Sequence, residues 1–110
     1  MERRVGLRAR TDFGVIARDG SLENHCRGVE VSPTGIVIDR GRPVGAWDER
    51  VVLRLELRLP ERLRPLRALA RPIWSFGRLQ AFKFVSISDT DRLNLAEHLD
   101  LANLRGALLS

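Results

Sequence analysis

Cysteine and aromatic residues are scarce in this chain. Its 110 residues include a single cysteine, Cys26, and no tyrosine, and aromatic side chains make up only 5% of the sequence. A lone cysteine cannot form an internal disulfide, so nothing indicates an oxidising compartment. The shortage of aromatic rings leaves little surface on which nucleic-acid bases could stack, which counts against a small nucleic-acid-binding barrel.

Long apolar runs are absent as well. No stretch approaches the ~20 apolar residues of a membrane-spanning helix, and the first residues, Met1 to Arg4, lack the apolar segment of a signal peptide. A hydrophobic content of 44% beside 30% charged residues is typical of one soluble globular domain. We therefore expect a cytoplasmic protein that does not insert into a membrane.

The patterns of a metal site or a catalytic nucleophile are also missing. His25 and His98 have no cysteine or carboxylate set at metal-ligand spacing. Cys26 falls on a predicted strand, where cysteine is usually a small buried residue and not a nucleophile. His98, beside Glu97 on the predicted final helix, is expected at the surface. We predict that the chain is not an enzyme and holds neither a metal nor a cofactor.

Positive charge predominates. The chain has 19 lysine and arginine residues against 14 acidic ones, a formal net charge of +5, and Lys83 is its only lysine. A positive balance favours an anionic partner. Many of the arginines, however, fall on alternate strand positions, where solvated side chains belong, so we do not expect a nucleic-acid partner.

Alternating apolar and polar residues predict a sheet. From Val51 to Leu59 every odd position is apolar, while Arg54, Glu56 and Arg58 take the other face, which is the period of a strand with one face in a core. Shorter patterns bounded by turn residues predict further strands. The six predicted strands cover about residues 13–18, 24–32, 35–39, 51–59, 66–75 and 79–87.

Three positions in these strands and their loops carry specific expectations. Gly28 lies within the second strand and predicts a bulge or bend there. Trp74 is predicted to lie in the core. Trp47 is predicted in a loop, at the rim of the core or as a partner contact.

An amphipathic helix follows the last strand. Ser88 can cap its first turn, Leu95, Leu99 and Ala102 share one stripe, and Gly106 is a natural stop. Six short strands followed by one helix predict an all-β fold with one helix, namely a six-stranded antiparallel β-barrel plus a C-terminal α-helix.

The domain organisation follows from this pattern. Residues 1–11 are polar and arginine-rich without a period, so they are predicted to form an N-terminal arm. Residues 12–110 are predicted to form the barrel and its helix as a single domain.

Two short motifs point to a family. Arg4 and Arg8 have the spacing R-x-x-x-R, and Glu30, Ser32 and Gly35 follow about twenty residues later as E-x-S-x-x-G. The chain thereby resembles the PilZ domain family, which is marked by an R-x-x-x-R segment and a [D/N]-x-S-x-x-G segment and whose usual ligand is cyclic di-GMP. The resemblance implies the same barrel-and-helix architecture.

The resemblance also implies a binding site. Arginines of the first motif would grip phosphate or the O6/N7 edge of guanine. The acidic residue of the second would accept hydrogen bonds from guanine, its serine would donate to phosphate or base, and its glycine would leave the contact surface free. The ligand-binding residues implied are Arg3 as a possible helper, Arg4, Arg8, Glu30, Ser32 and Gly35.

The sequence departs from the family pattern at two positions. Glu30 stands where the family has Asp or Asn, and Ala81 stands where glycine is common. Two functions therefore stay open. The chain is a bacterial receptor and adaptor that binds cyclic di-GMP and relays it through protein contacts, or it is a degenerate PilZ-like domain that does not bind this ligand and acts as a protein–protein interaction module. Ligand stoichiometry, oligomeric state and the downstream partner are left open by the sequence.

Overall fold

The computed structural model describes residues 8–106 and 108–109, with backbone alone for the last two. The strands and the helix have the following bounds: β1 Arg8–Arg10, β2 Gly14–Asp19, β3 Leu22–Val31, β4 Gly35–Asp39, β5 Leu53–Leu57, β6 Leu66–Phe76, β7 Leu79–Ile87, α1 Asp89–Leu104 and β8 Leu108–Leu109. The six longer strands and the helix match the predicted elements.

The strands β2 to β7 close into an antiparallel barrel. Their order is β2-β5-β6-β7-β4-β3, and a further β2–β3 pairing closes the ring. Val15 of β2 lies opposite Cys26 on one side and Leu57 on the other. The predicted six-stranded barrel with one C-terminal helix is therefore confirmed.

Two short strands extend the sheet beside β3. Ala9 of β1 pairs with Val31, and Ala9 also faces Leu108 of β8. Thr11 and Phe13 keep the chain hydrogen-bonded to β3 between β1 and β2. Three residues of the predicted arm, Arg8–Arg10, thus form a strand, and this strand fixes Arg8 beside the end of β3.

The core fills the inside of the barrel. In β5 the side chains of Leu53, Leu55 and Leu57 are buried, whereas Arg54 between them is exposed. Glu56 has the same parity as Arg54 but is only 8% exposed, because neighbouring arginines cover it.

Helix α1 closes one side of the core. Ser88 caps it by accepting a hydrogen bond from the Asp91 amide at 3.1 Å, and Gly106 follows its end with a φ of 72°, the left-handed region that glycine adopts easily. Leu95, Leu99 and Ala102 are buried against the core, as the stripe predicts. No helix in the described part of the chain has the length and apolar character needed to span a bilayer.

The prediction that His98 lies at the surface is wrong. His98 is only 5% exposed. Its Nδ1 lies 2.7 Å from a Glu61 carboxylate oxygen, its Nε2 lies 3.5 Å from Thr11 Oγ1, and its ring meets Phe13 edge-on. A helix places residues three and four apart on one face, so His98 shares the buried face with Leu95. It fastens α1 to the connection between β1 and β2.

The barrel has three register shifts, one between β3 and β4 and two between β6 and β7. The register of β3 against β4 shifts between Gly28 and Glu30, which confirms the predicted bulge. The register of β6 against β7 shifts between Pro72 and Trp74. This bulge leaves Trp74 44% exposed, so the prediction that it lies in the core is wrong.

Candidate functional site

A groove crosses the outer face of four adjacent strands, β3, β4, β7 and β6. The cross-strand register runs from Glu30 to Val37, from Val37 to Ala81 and from Ala81 to Trp74. Residues in register lie side by side on one face of a sheet. The two middle residues are small and form a floor, while Glu30 and Trp74 stand at its ends. The groove has a volume of about 310 Å³.

The two sequence motifs meet at one end of this groove. Arg8 Nη1 donates to Glu30 Oε1 at 3.1 Å, and both side chains keep part of their surface in solvent, at 49% and 30% exposure. The pairing of β1 with β3 explains the contact, because it sets Arg10 directly opposite Glu30 and Arg8 two residues further along. A cation and an anion therefore share one wall of the groove.

Two of the predicted ligand-binding arginines lie outside the described residues. These are Arg4, the first arginine of the R-x-x-x-R motif, and Arg3, its possible helper. Their predicted roles in ligand binding stay predictions, and Arg8 alone represents the R-x-x-x-R motif in the described groove.

Ser32 holds the turn between β3 and β4. Its Oγ accepts hydrogen bonds from the amides of Thr34 and Gly35, each at 3.2 Å, and its own amide donates to the Gly35 carbonyl at 2.9 Å. The Ser32 hydroxyl also donates to the Gly35 carbonyl at 3.4 Å, and its Oγ lies 3.3 Å from Thr34 Oγ1. Ser32 therefore shapes the turn with both its donor and its acceptor.

Gly35 is required by the barrel itself. A Cβ at this position would lie 2.3 Å from the Phe82 carbonyl oxygen, well inside contact distance. The β4 backbone therefore passes too close to β7 for any side chain. This packing reason for glycine is separate from its predicted role of leaving the contact surface free, and it makes Gly35 a position where fold and site coincide.

The far side of the groove carries residues that the motifs do not indicate. Lys83 of β7 lies opposite Gly35, and Ile73 and Trp74 of β6 line the same groove at 50% and 44% exposure. Ile73 has the outward parity of Leu69 and Arg71, and the β6 bulge after Pro72 adds Trp74 to the same face. A proline inside a strand is a signal of a bulge, but the alternation alone places Trp74 inside.

Across the groove the charges form a mixed pattern. Arg8 and Glu30 stand at one end, and Lys83 of β7 stands on the other side of the floor. Arg71 of β6 lies opposite Lys83 in the strand register but does not line the groove. Within residues 8–106 no group of three or more histidine, cysteine or acidic side chains is placed to hold a metal ion. The groove can bind anions at two points and offers an apolar, aromatic surface and one carboxylate acceptor.

No family model matches the sequence, and no curated protein matches it either. Among solved structures, the fold is similar to the Bacillus subtilis inhibitor of motility MotI/DgrA, at 20% sequence identity and a TM-score of 0.79, over 96% of this chain and 53% of that one. It is also similar to the uncharacterized Legionella protein Lpg0364, at 17% identity and a TM-score of 0.50, over 90% of this chain and 94% of that one.

These similarities concern the fold. The barrel with its C-terminal helix fits the PilZ-like fold implied by the motifs. The chain spans about half the length of MotI/DgrA.

Proposed function

We propose that this chain is a bacterial receptor that binds cyclic di-GMP in the outer groove and relays it through protein contacts. The observation that carries the proposal is the contact between the two motifs, the Arg8–Glu30 pair at 3.1 Å. Twenty-two residues separate these side chains in sequence, and the barrel brings them to one wall of a groove that also holds an exposed tryptophan.

Two cations, Arg8 and Lys83, are placed to bind the phosphates of the ligand. Arg8 keeps about half of its side-chain surface exposed, so its planar guanidinium is free to grip phosphate oxygens in a two-pronged way. Lys83 supplies a point charge across the floor from it. Two separated cations suit a ligand with two phosphates better than a single cation would.

The guanine bases find an acceptor and a stacking surface. The Watson–Crick edge of guanine carries N1–H and N2–H₂ donors, and the Glu30 carboxylate accepts such hydrogen bonds. Trp74 offers an exposed ring on which a base can stack, an interaction worth about 1–3 kcal/mol per base. The small floor residues Val37 and Ala81 leave room for a flat ring between these two ends.

Ligand binding must compete with the existing Arg8–Glu30 pair. Partly exposed ion pairs contribute only about 0–1 kcal/mol, whereas a hydrogen bond to a charged group contributes about 1.5–3 kcal/mol. Breaking the Arg8–Glu30 pair therefore costs less free energy than the proposed hydrogen bonds to the ligand contribute. In the free protein the pair holds both side chains close to their binding positions, which lowers the ordering cost of binding.

Isothermal titration calorimetry with cyclic di-GMP tests the proposal. We expect a measurable heat of binding to the wild-type chain. Arg8→Ala should weaken binding by at least about tenfold, since it removes a charge-assisted contact, while the melting temperature stays nearly unchanged. Arg54→Ala is the matched control, because Arg54 is also exposed but lies on β5, outside the groove. A folded protein that gives no heat at high ligand concentration would contradict the proposal.

The second candidate function is a degenerate PilZ-like domain that acts through protein contacts alone. The observation that favours it is that Glu30 and Ser32 already have partners within the chain, namely Arg8 and the turn amides. Both candidates use a protein partner. The structural neighbour is named for inhibition of motility, so a motility protein is the class of partner that we propose to test first.

A further inference from the structure

A second cavity lies at the other end of the barrel. Its volume is about 400 Å³, and its lining includes Asn24 at the start of β3 and Gln80 at the start of β7. Asn24 and Glu30 are six residues apart on β3, which corresponds to roughly 20 Å along a strand. On β7 the two sites approach each other, because Gln80 of the cavity precedes Ala81 of the groove, but successive residues of a strand point to opposite faces. The cavity is therefore distinct from the groove that carries the motifs, and β-barrel mouths are common positions for small-molecule sites.

Arg40 reaches across the floor of this cavity. Its Nη1 donates to Gln80 Oε1 at 2.6 Å, and its Nε and Nη2 donate to Asn24 Oδ1 at 3.3 and 2.8 Å. Both acceptors are neutral amide oxygens, and Gln80 is only 2% exposed. A guanidinium has five N–H groups, so these contacts fix its plane and leave two donors for a ligand.

The charge of Arg40 is not balanced by a nearby carboxylate. Its neighbour Asp39 is bound to Arg78 at 3.1 Å, and Asp48 on the cavity wall is bound to Arg50 at 3.2 Å. Among the residues that the structure describes, Arg40 forms no ion pair. Arg42 and Asp19, both exposed, also line the cavity and carry opposite charges, and Arg50 cancels the charge of Asp48. The cavity therefore holds about one uncompensated positive charge.

Apolar side chains and a fastened loop form the walls. Leu53 and Pro72 are buried on one side, and Trp47 covers another. The indole N–H of Trp47 donates to Ser75 Oγ at 2.9 Å, and the Val44 amide donates to the Gly77 carbonyl at 2.9 Å. These bonds tie the loop to the β6–β7 hairpin, so the apolar surface is in place before any ligand arrives.

We propose that this cavity binds a small organic acid, through its carboxylate to Arg40 and its apolar body to Trp47, Leu53 and Pro72. One guanidinium with two free donors matches one carboxylate. A dianion such as phosphate fits less well, because the cavity offers a single uncompensated charge and carries Asp19 at its rim. The proposal is independent of cyclic di-GMP binding, since the two sites share no described residue.

The test is an NMR titration of the ¹⁵N-labelled wild-type chain with 2-naphthoate. The chain has two tryptophans, so its spectrum holds two indole N–H peaks, and Trp47→Phe identifies the one that belongs to Trp47. We expect 2-naphthoate to shift the Trp47 peak in a saturable way with a Kd of about 1 mM or tighter, the range for a ligand of this size. The Trp74 peak, in the motif groove, should stay in place.

Three controls decide the outcome. 2-Naphthamide has the same shape without the charge and should bind at least about tenfold more weakly, as should 2-naphthoate with Arg40→Gln. Inorganic phosphate should leave the Trp47 peak in place. No saturable shift up to about 10 mM 2-naphthoate, or equal binding of the amide, would overturn the proposal. The amide comparison uses the wild-type chain, so it decides the question even where Arg40→Gln lowers stability.

Discussion

At the scale of single residues, Glu30 and Arg8 combine two roles. They form an ion pair at 3.1 Å while both remain partly exposed, so the same atoms that order the free groove can turn to a ligand. Glu30 carries one methylene more than the Asp or Asn of the PilZ pattern. Glu30 and Ala81, the two positions that depart from that pattern, both line the groove.

Glu30→Gln tests the carboxylate. The substitution keeps the size of the side chain but removes the charge, so guanine donors lose a charge-assisted acceptor. We expect the Kd for cyclic di-GMP to rise by about ten- to a hundredfold, measured by calorimetry. The free energy of unfolding should fall by less than about 1 kcal/mol, because only a partly exposed ion pair is lost. An unchanged Kd would place the carboxylate outside the binding contacts.

Gly35→Ala tests the packing reason for glycine. The new Cβ would lie 2.3 Å from the Phe82 carbonyl oxygen, and that backbone atom can move only with its strand. We expect a loss of about 1–3 kcal/mol in the free energy of unfolding, measured with denaturant. Gly45→Ala is the control, because nothing lies within 4 Å of a Cβ there. Equal stability of both variants would show that β4 and β7 can separate without cost.

Cys26 is predicted to be an inert thiol. Burial raises its pKa, outweighing the opposing effect of the Arg40 charge, so the thiolate that reacts is rarer than in an exposed cysteine. We expect a disulfide reagent to modify the folded chain at least about tenfold more slowly than the unfolded chain at the same pH. Comparable rates in both states would contradict the buried position.

The raised pKa of Cys26 also predicts a direction for stability. Below the thiol pKa of the unfolded chain, which is about 8.5, both states are protonated and the thiol adds no pH dependence. As pH rises through the window up to the raised folded pKa, the unfolded chain loses its proton first and stability falls. The measurement is the denaturant midpoint of unfolding as a function of pH. In Cys26→Ala the midpoint should fall less steeply at alkaline pH than in the wild-type chain. An identical fall in both proteins would contradict the raised pKa of Cys26.

At the scale of elements, the sequence predicts the strands and the bulge near Gly28 but misplaces Trp74. The alternation from Val51 to Leu59 predicts β5, because the two-residue period is set by strand geometry. The bulge between Pro72 and Trp74 depends on the pairing of β6 with β7, and its one local signal is Pro72, since proline inside a sheet is largely confined to edges and bulges. That signal does not give the register, so the exposed position of Trp74 follows only from the structure.

Helix α1 shows the same limit. Its stripe of Leu95, Leu99 and Ala102 predicts the buried face correctly. His98 lies on that face too, and it is tolerated there because Glu61 and Thr11 supply partners. These partners lie 37 and 87 residues away in sequence. The sequence near His98 therefore predicts a surface position, and only the fold shows that the side chain is buried.

His98→Leu tests the attachment of α1. The variant fills the space but removes the bond to the Glu61 carboxylate, so we expect the free energy of unfolding to fall by about 1–3 kcal/mol in denaturant melts. His25→Leu is the chemical control, since the His25 side chain is 72% exposed and its loss should change stability by less than about 0.5 kcal/mol. If His98→Leu is as stable as His25→Leu, the hydrogen bond between His98 and Glu61 does not stabilise the attachment of α1.

At the scale of the whole molecule, the two candidate sites lie at opposite ends of β3 and on opposite faces of β6 and β7. Pro72 and Gln80 line the cavity, whereas their sequence neighbours Ile73 and Ala81 line the groove. One end of β3 and β4 meets Arg8 and the outer groove, and the other end meets Arg40 and the second cavity. The barrel between them is closed and filled by the core. Each site therefore has its own tryptophan, Trp74 or Trp47, as a reporter of occupancy.

The most direct measurement is an NMR titration of the labelled chain with cyclic di-GMP, following both indole peaks and the backbone amides of residues 30–35. We expect the Trp74 peak and these amides to shift together and saturate with one Kd, while the Trp47 peak stays in place. No shift at saturating ligand, or a shift confined to the Trp47 peak, would contradict cyclic di-GMP binding in the groove.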